Sequence, residues 1–117
     1  MKARDLYSEN GEQIGTLPEG VCIRPGMYTL NGTLDEAVAF LNGYYSGAAK
    51  SSSHSLVWKE INYWNEFTMW TCQKLGVGHG GWYHVAVALR KQFPNDDEAF
   101  AELARLLIEY RKENGLW

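Results

Sequence analysis

The spacing of hydrophobic residues changes along the chain near residue 31. Before that point, apolar residues stand in short groups separated by turn-forming residues, a pattern typical of strands. After it, apolar residues recur every three to four positions, which is the helical period. We therefore predict a single α+β domain over residues 1–117, with a small antiparallel sheet packed on about four helices.

The N-terminal region, about residues 3–30, predicts two to three antiparallel strands. Residues 4–17 are typical of a β-hairpin, because Asn10-Gly11 suits the two positive φ angles of a type I′ turn. Residues 21–30 predict a third strand. Pro25 restricts that strand to an edge or a kink, since proline has no N–H to donate to the ladder.

The helical region covers about residues 33–114. Thr33 and Glu36 have the spacing of a capping box, which predicts that the first helix begins there and ends near Gly47. Glycine and proline residues separate the helices that follow. These three helices are predicted over residues 56–75, 81–93 and 97–113.

The second predicted helix, Leu56–Leu75, carries an unusual number of aromatic residues and is expected to be central. At about 100° per residue, its apolar arc spans roughly 200°, which is wider than one buried face requires. Either the helix is sandwiched between other elements, or part of this arc awaits a partner. Trp58 and Met69 lie off the main stripe, so we expect both to be exposed. Tyr44 and Tyr45, near the end of the first helix, could join them.

Composition narrows the classes of partner. The chain has five Trp and seven Tyr and a formal net charge of −3. A weakly acidic domain lacks the positive surface that neutralises phosphates, which disfavours a nucleic-acid partner. No apolar stretch follows the charged N-terminus, and the longest aliphatic run, Val85–Leu89, is too short for a membrane span. We expect a cytoplasmic protein with no membrane association.

Candidate catalytic and metal-binding residues are few. Cys22 and Cys72 form no CxxC motif, and the histidines show no metal-binding spacing, so the sequence predicts two free buried thiols, no metal and no cofactor. The glycine-rich segment 76–81 precedes a helix, where backbone N–H groups could hold an anion. It follows a helix and lacks the lysine of a P-loop, so a simple helix connection is the alternative interpretation.

The aromatic excess favours a small non-enzymatic binding protein that inhibits or sequesters a protein partner. By size and charge alone, such a chain is analogous to bacterial or phage inhibitors and immunity proteins. An alternative is a nucleotide-like ligand in an aromatic pocket closed by the 76–81 loop, and a third is an enzyme using Cys72 or His79. The sequence does not determine the oligomeric state, and a homodimer is one possibility. The predicted binding surface consists of Trp58, Met69, Tyr44, Tyr45, Trp70, His79 and Trp82.

Overall fold

The computed structural model describes residues 1–51, 55–78 and 81–115, and of residues 55–57 it describes the backbone only. No residue within these ranges belongs to a β-strand. A short 3₁₀ turn, Pro25–Met27, lies between the second and third helices. The described helices are α1 (Ala3–Asn10), α2 (Leu17–Ile23), α3 (Leu34–Ser51), α4 (Ser55–Leu75), α5 (Trp82–Gln92) and α6 (Asp96–Asn114).

The predicted α+β fold is wrong, because the region assigned to a hairpin forms α1, a loop and the start of α2. Gly11 does adopt a positive φ of 68°, but it does so as the C-cap of α1, where its N–H donates to the carbonyl of Tyr7. A type I′ turn and a helix C-cap both need a positive φ at this glycine. The Asn10-Gly11 pair is therefore compatible with either structure.

A capping pattern in the sequence, which the strand prediction did not take into account, specifies the start of α2. Thr16 is the N-cap, and its Oγ1 accepts a hydrogen bond of 3.4 Å from the backbone N–H of Glu19. Pro18 lies in the first turn, where its missing N–H is tolerated. The predicted third strand, residues 21–30, is also wrong. Its first residues belong to α2, and Pro25 begins a 3₁₀ turn.

The helices predicted after residue 33 are confirmed, with different ends. The capping box at Thr33 and Glu36 is formed, with both of its reciprocal bonds at 3.3 Å. Helix α3 does not end near Gly47 but continues through Gly43 and Gly47 to Ser51. A Cβ added at either glycine would meet nothing within 4 Å.

The core is organised around α6 and not, as predicted, around α4. Helix α6 packs against each of the other five described helices, whereas α4 packs against α3, α5 and α6. Buried leucines and alanines cover most sides of α6, so neighbours can approach it from several directions. The wide apolar arc of α4 is used for packing, since Tyr63, Trp64 and Phe67 are all buried.

A buried carboxylate joins the N-terminal helices to α6. Glu19 on α2 has no exposed surface. Its Oε1 accepts hydrogen bonds from Tyr7 Oη at 2.9 Å and from Arg111 Nη2 at 3.0 Å, and its Oε2 accepts one from Thr16 Oγ1 at 2.7 Å. A charge this deeply buried is tolerated because it is both paired and hydrogen-bonded.

The loop between α1 and α2 is shaped by the Arg111 side chain. Arg111 Nη2 also donates to the carbonyl of Gln13 at 3.1 Å. A Cβ added at Gly15 would lie 3.1 Å from both Cδ and Nε of Arg111. The absence of a side chain at Gly15 therefore lets the loop backbone close over the guanidinium.

We predict that Arg111→Met lowers the free energy of unfolding by about 3–5 kcal/mol, because it leaves the Glu19 carboxylate buried without its partner. Chemical denaturation followed by circular dichroism measures this change. Arg105→Met on the same helix is the matched control. Arg105 pairs with Glu102 and Glu109 at the surface, so its loss should cost no more than about 1 kcal/mol. Equal losses in the two variants would contradict the role given to Glu19.

Candidate functional site

Trp58 and Met69 are exposed, at 40% and 59%, but they do not form one patch. Both lie on the same side of α4 because they are eleven residues apart. That spacing separates their Cα atoms by about 16 Å along the helix axis. The exposed polar residues Asn62 and Asn65 stand between them.

Of two other residues of the predicted surface, Tyr45 belongs to the core and Trp70 packs against it. Tyr45 is 4% exposed and stacks on Trp64, with 5.7 Å between ring centroids. Trp70 is half-buried against Tyr110 at 5.3 Å, and Lys74 Nζ lies 4.8 Å from the centre of the Trp70 ring. Their aromatic rings therefore serve packing within the fold.

The remaining predicted residues are dispersed. Tyr44 is 48% exposed and continues an aromatic strip through Phe40 to Tyr28, and none of these three residues lines the groove beside α5. Trp82 is half-buried at the start of α5. The prediction for His79 lies outside the described residues, and the 76–81 segment, predicted as a closing loop, is described only at residues 76–78 and 81.

A groove of about 680 Å³ lies between α3 and α5. At one end of it, the start of α3 and the end of α5 contribute Asp35, Arg90 and Lys91. The rest of its wall is apolar. The apolar lining consists of Ala39 from α3 and Trp82, Tyr83, Ala86 and Val87 from α5.

The groove exists because α5 carries apolar residues on two faces. Val85 and Leu89 are buried and attach the helix to the core. Tyr83 and Val87, four residues apart, share an outward face and are 58% and 49% exposed. A solvated helix face is normally polar, so this spacing is the signal in the sequence that could have identified the groove.

The carboxylate of Asp96 fixes the charged end of the groove. Its Oδ1 accepts a hydrogen bond of 3.1 Å from the backbone N–H of Leu34 and pairs with the guanidinium of Arg90. Asp96 therefore connects the start of α3, the end of α5 and the start of α6. The hydrogen bond from Arg90 holds the pKa of Asp96 below its usual value, which keeps the carboxylate ionised.

The positive charge available to a ligand at this end belongs to Lys91. Arg90 is occupied by Asp96, by the carbonyl of Pro94 at 2.8 Å and by Asp35, whose Oδ1 lies 3.7 Å from Nε. Lys91 forms no ion pair with any described residue. The groove thus combines apolar walls with an unpaired cation at its end.

Both cysteines are free and buried, as predicted. Burial in the first place, and the charge of Glu19 in the second, raise the pKa of the Cys22 thiol. Cys72 has no exposed surface, and its Sγ donates to the carbonyl of Gly81 at 3.4 Å. Among residues 1–51, 55–78 and 81–115, no group of three or more His, Cys, Asp or Glu side chains is arranged to hold a metal ion.

No protein-family model matches the chain, and no curated protein or solved structure matches it. The described helices include none with the length and apolar content needed to cross a membrane. We therefore infer function from the geometry of the chain itself.

We predict that neither cysteine of the folded protein reacts with a thiol reagent such as Ellman's reagent within minutes, because both thiols are shielded from the reagent and from solvent. Two equivalents should react once the protein is unfolded in denaturant. The absorbance released by the reagent measures both values. One fast-reacting thiol in the folded state would contradict this prediction and would favour an enzyme using Cys72.

Proposed function

We propose that this protein is a small non-enzymatic binding protein that inhibits or sequesters a protein partner by holding it in the α3/α5 groove. The observation that carries the proposal is the exposure of Tyr83 and Val87 along an apolar groove of about 680 Å³. Large side chains exposed together on a concave surface are typical of interaction sites. Tyrosine is also among the residues that most often dominate binding energy.

The shape and charge of the groove favour one kind of partner segment. Ala39 and Ala86 have small side chains, so a partner can approach the backbones of α3 and α5 closely. Lys91 supplies an unpaired positive charge at one end. A partner helix with apolar residues at helical spacing and a carboxylate near one end would complement both features.

The proposed site differs from the one that the sequence predicts. Trp58 and Met69 are separated by two asparagines and are not part of the groove lining, so they provide two isolated contacts. Among the described residues of the predicted surface, Trp82 alone lines the groove. The proposed function is unchanged, but its location moves from α4 to the side of α5.

We predict that Tyr83→Ser weakens partner binding by about 30-fold or more, as expected for loss of a central aromatic anchor worth about 2 kcal/mol. Tyr83→Ser combined with Val87→Ser should weaken it further. The partner is first captured on immobilised wild-type protein and identified by mass spectrometry. The purified partner is then titrated against each variant by isothermal calorimetry.

Two variants serve as controls for this experiment. Leu30→Ser changes an apolar residue that is 92% exposed and lies outside the groove lining, so partner affinity should not change. Trp58→Ala tests the surface predicted from the sequence. If Trp58→Ala abolished binding while Tyr83→Ser retained it, α4 would be the binding surface and the groove proposal would be wrong.

A small-ligand function is the second candidate, and the volume of the groove favours it. About 680 Å³ falls within the range of roughly 300–1,000 Å³ that small-molecule sites occupy. Trp82 and Tyr83 stand at the N-terminal end of α5, where an anionic group would be stabilised by the helix dipole. A nucleotide could stack its base on one of these rings.

We predict, under this second candidate, that a thermal-shift screen of nucleotides finds a stabilising compound. A ligand present at 100 times its Kd adds about 2.7 kcal/mol to the free energy of unfolding, which raises the melting temperature measurably. Tyr83→Ser should abolish the shift. A screen without a hit on well-folded protein counts against the ligand and leaves the protein partner as the proposal.

A further inference from the structure

A second pocket, of about 400 Å³, lies between the middle turns of α4 and the C-terminal end of α6. It shares no lining residue with the α3/α5 groove, so a ligand held there is independent of the proposed function. Unlike the mainly apolar groove, this pocket has a wall that is polar and apolar in about equal parts. Its lining includes Lys59, Asn62, Tyr63 and Glu66 from α4, and Tyr110 and Asn114 from α6.

Two opposite charges face this pocket without neutralising each other. Lys59 and Glu66 are seven residues apart, so they share one side of α4. Two helical turns separate their Cα atoms by about 10.5 Å, which is longer than the spacing at which helix residues form ion pairs. Neither residue forms an ion pair with any other described residue. A ligand with two charges can therefore contact both.

The end of the pocket near Glu66 suits a positive group. The carboxylate accepts one long hydrogen bond, of 3.4 Å, from Tyr110 Oη, so most of its acceptor capacity is available. A carboxylate with free acceptor capacity and no ion-pair partner among the described residues favours an ammonium.

Two tyrosine rings form a neutral floor between the charges. Tyr63 and Tyr110 are each 5% exposed and meet edge to face, with 5.2 Å between ring centroids. Burial raises the pKa of both hydroxyls, and the charge of Glu66 adds to the rise at Tyr110. Both hydroxyls therefore stay protonated at physiological pH. The Tyr63 hydroxyl is buried away from solvent and the Tyr110 hydroxyl already donates to Glu66, so the floor offers ring surface without charge. The uncharged middle of a ligand with two charged ends can lie on such a surface.

We propose that this pocket binds a short zwitterionic peptide of two to three residues, with its ammonium group at Glu66 and its carboxylate at Lys59. A free α-amino acid carries both charges on one carbon, whereas the Cα atoms of Lys59 and Glu66 are about 10.5 Å apart, so a ligand with more widely separated charges matches this spacing better. Each extended residue spans at most about 3.5 Å, so three residues match the separation of the two charged positions. Asn62, between Lys59 and Glu66 on α4, is placed to hydrogen-bond the peptide backbone.

Triglycine is the probe for the first test, because it has both charges and no side chains. Isothermal calorimetry with the full chain should show saturable binding of triglycine and none of glycine at the same concentrations. Acetylating the N-terminus or amidating the C-terminus removes one charge at a time. Each modification should weaken binding by about tenfold or more, as expected for the loss of a charged hydrogen bond.

Variants identify which residue contacts which end. Glu66→Gln should weaken triglycine binding by about tenfold but leave the affinity of acetylated triglycine unchanged. Lys59→Gln should also weaken triglycine binding by about tenfold, but it should leave the affinity of amidated triglycine unchanged. Glu9→Gln, at an exposed position on α1, is the matched control and should alter neither. Circular dichroism confirms that each variant is folded. Absence of saturable triglycine binding, or equal affinity for all three peptides, would overturn the proposal.

Discussion

The ion pair between Glu19 and Arg111 joins the two ends of the chain, which are 92 positions apart at this contact. Helices α1 and α2 are eight and seven residues long, too short to be stable alone in water. They persist because α6 provides a surface for them and because Arg111 fixes how they sit on it. A buried pair of this kind adds little net stability, but it makes alternative arrangements costly, since each would leave a charge buried and unpaired.

The opposite end of α6 has a comparable role for the groove. Asp96 accepts the N–H of Leu34 and holds Arg90, so one carboxylate fixes the start of α3 against the end of α5. The separation of these two helices determines how wide the groove opens between Ala39 and Val87. Helix α6 therefore positions the N-terminal helices through Arg111 and the α3/α5 groove through Asp96.

The sequence predicts the helices after residue 33 because each is long enough for its periodicity to repeat and carries recognisable caps. It fails for α1 and α2, where seven or eight residues show barely two turns and Asn10-Gly11 fits both a turn and a helix cap. The spacing of Thr16 and Glu19 indicates a helix start in the same way as the spacing of Thr33 and Glu36. The burial of Glu19 cannot be predicted from the local sequence, because its partner Arg111 lies 92 positions away.

For the candidate site, too, local features could be predicted from the sequence and features that depend on helix packing could not. The exposure of Trp58 and Met69 could be predicted from α4 alone, because both lie outside its main apolar stripe. The burial of Tyr45 could not, since it depends on which neighbouring helix covers the ring. The four-residue spacing of Tyr83 and Val87 predicts that they share one face of a helix. The groove beside that face forms only because α3 packs next to α5.

The two halves of α3 are held in the fold to different extents. Its first half is fixed by the capping box and by buried residues such as Leu34 and Leu41. Gly43 and Gly47 follow, each weakening a helix by roughly 1 kcal/mol relative to alanine, although neither has a neighbour that excludes a Cβ. Beyond Tyr45, no described residue of α3 is fully buried. The last turns of α3 are held by partly buried residues such as Ala48 and Ala49, so we expect them to open at a lower free-energy cost than the capped half, which lines the groove.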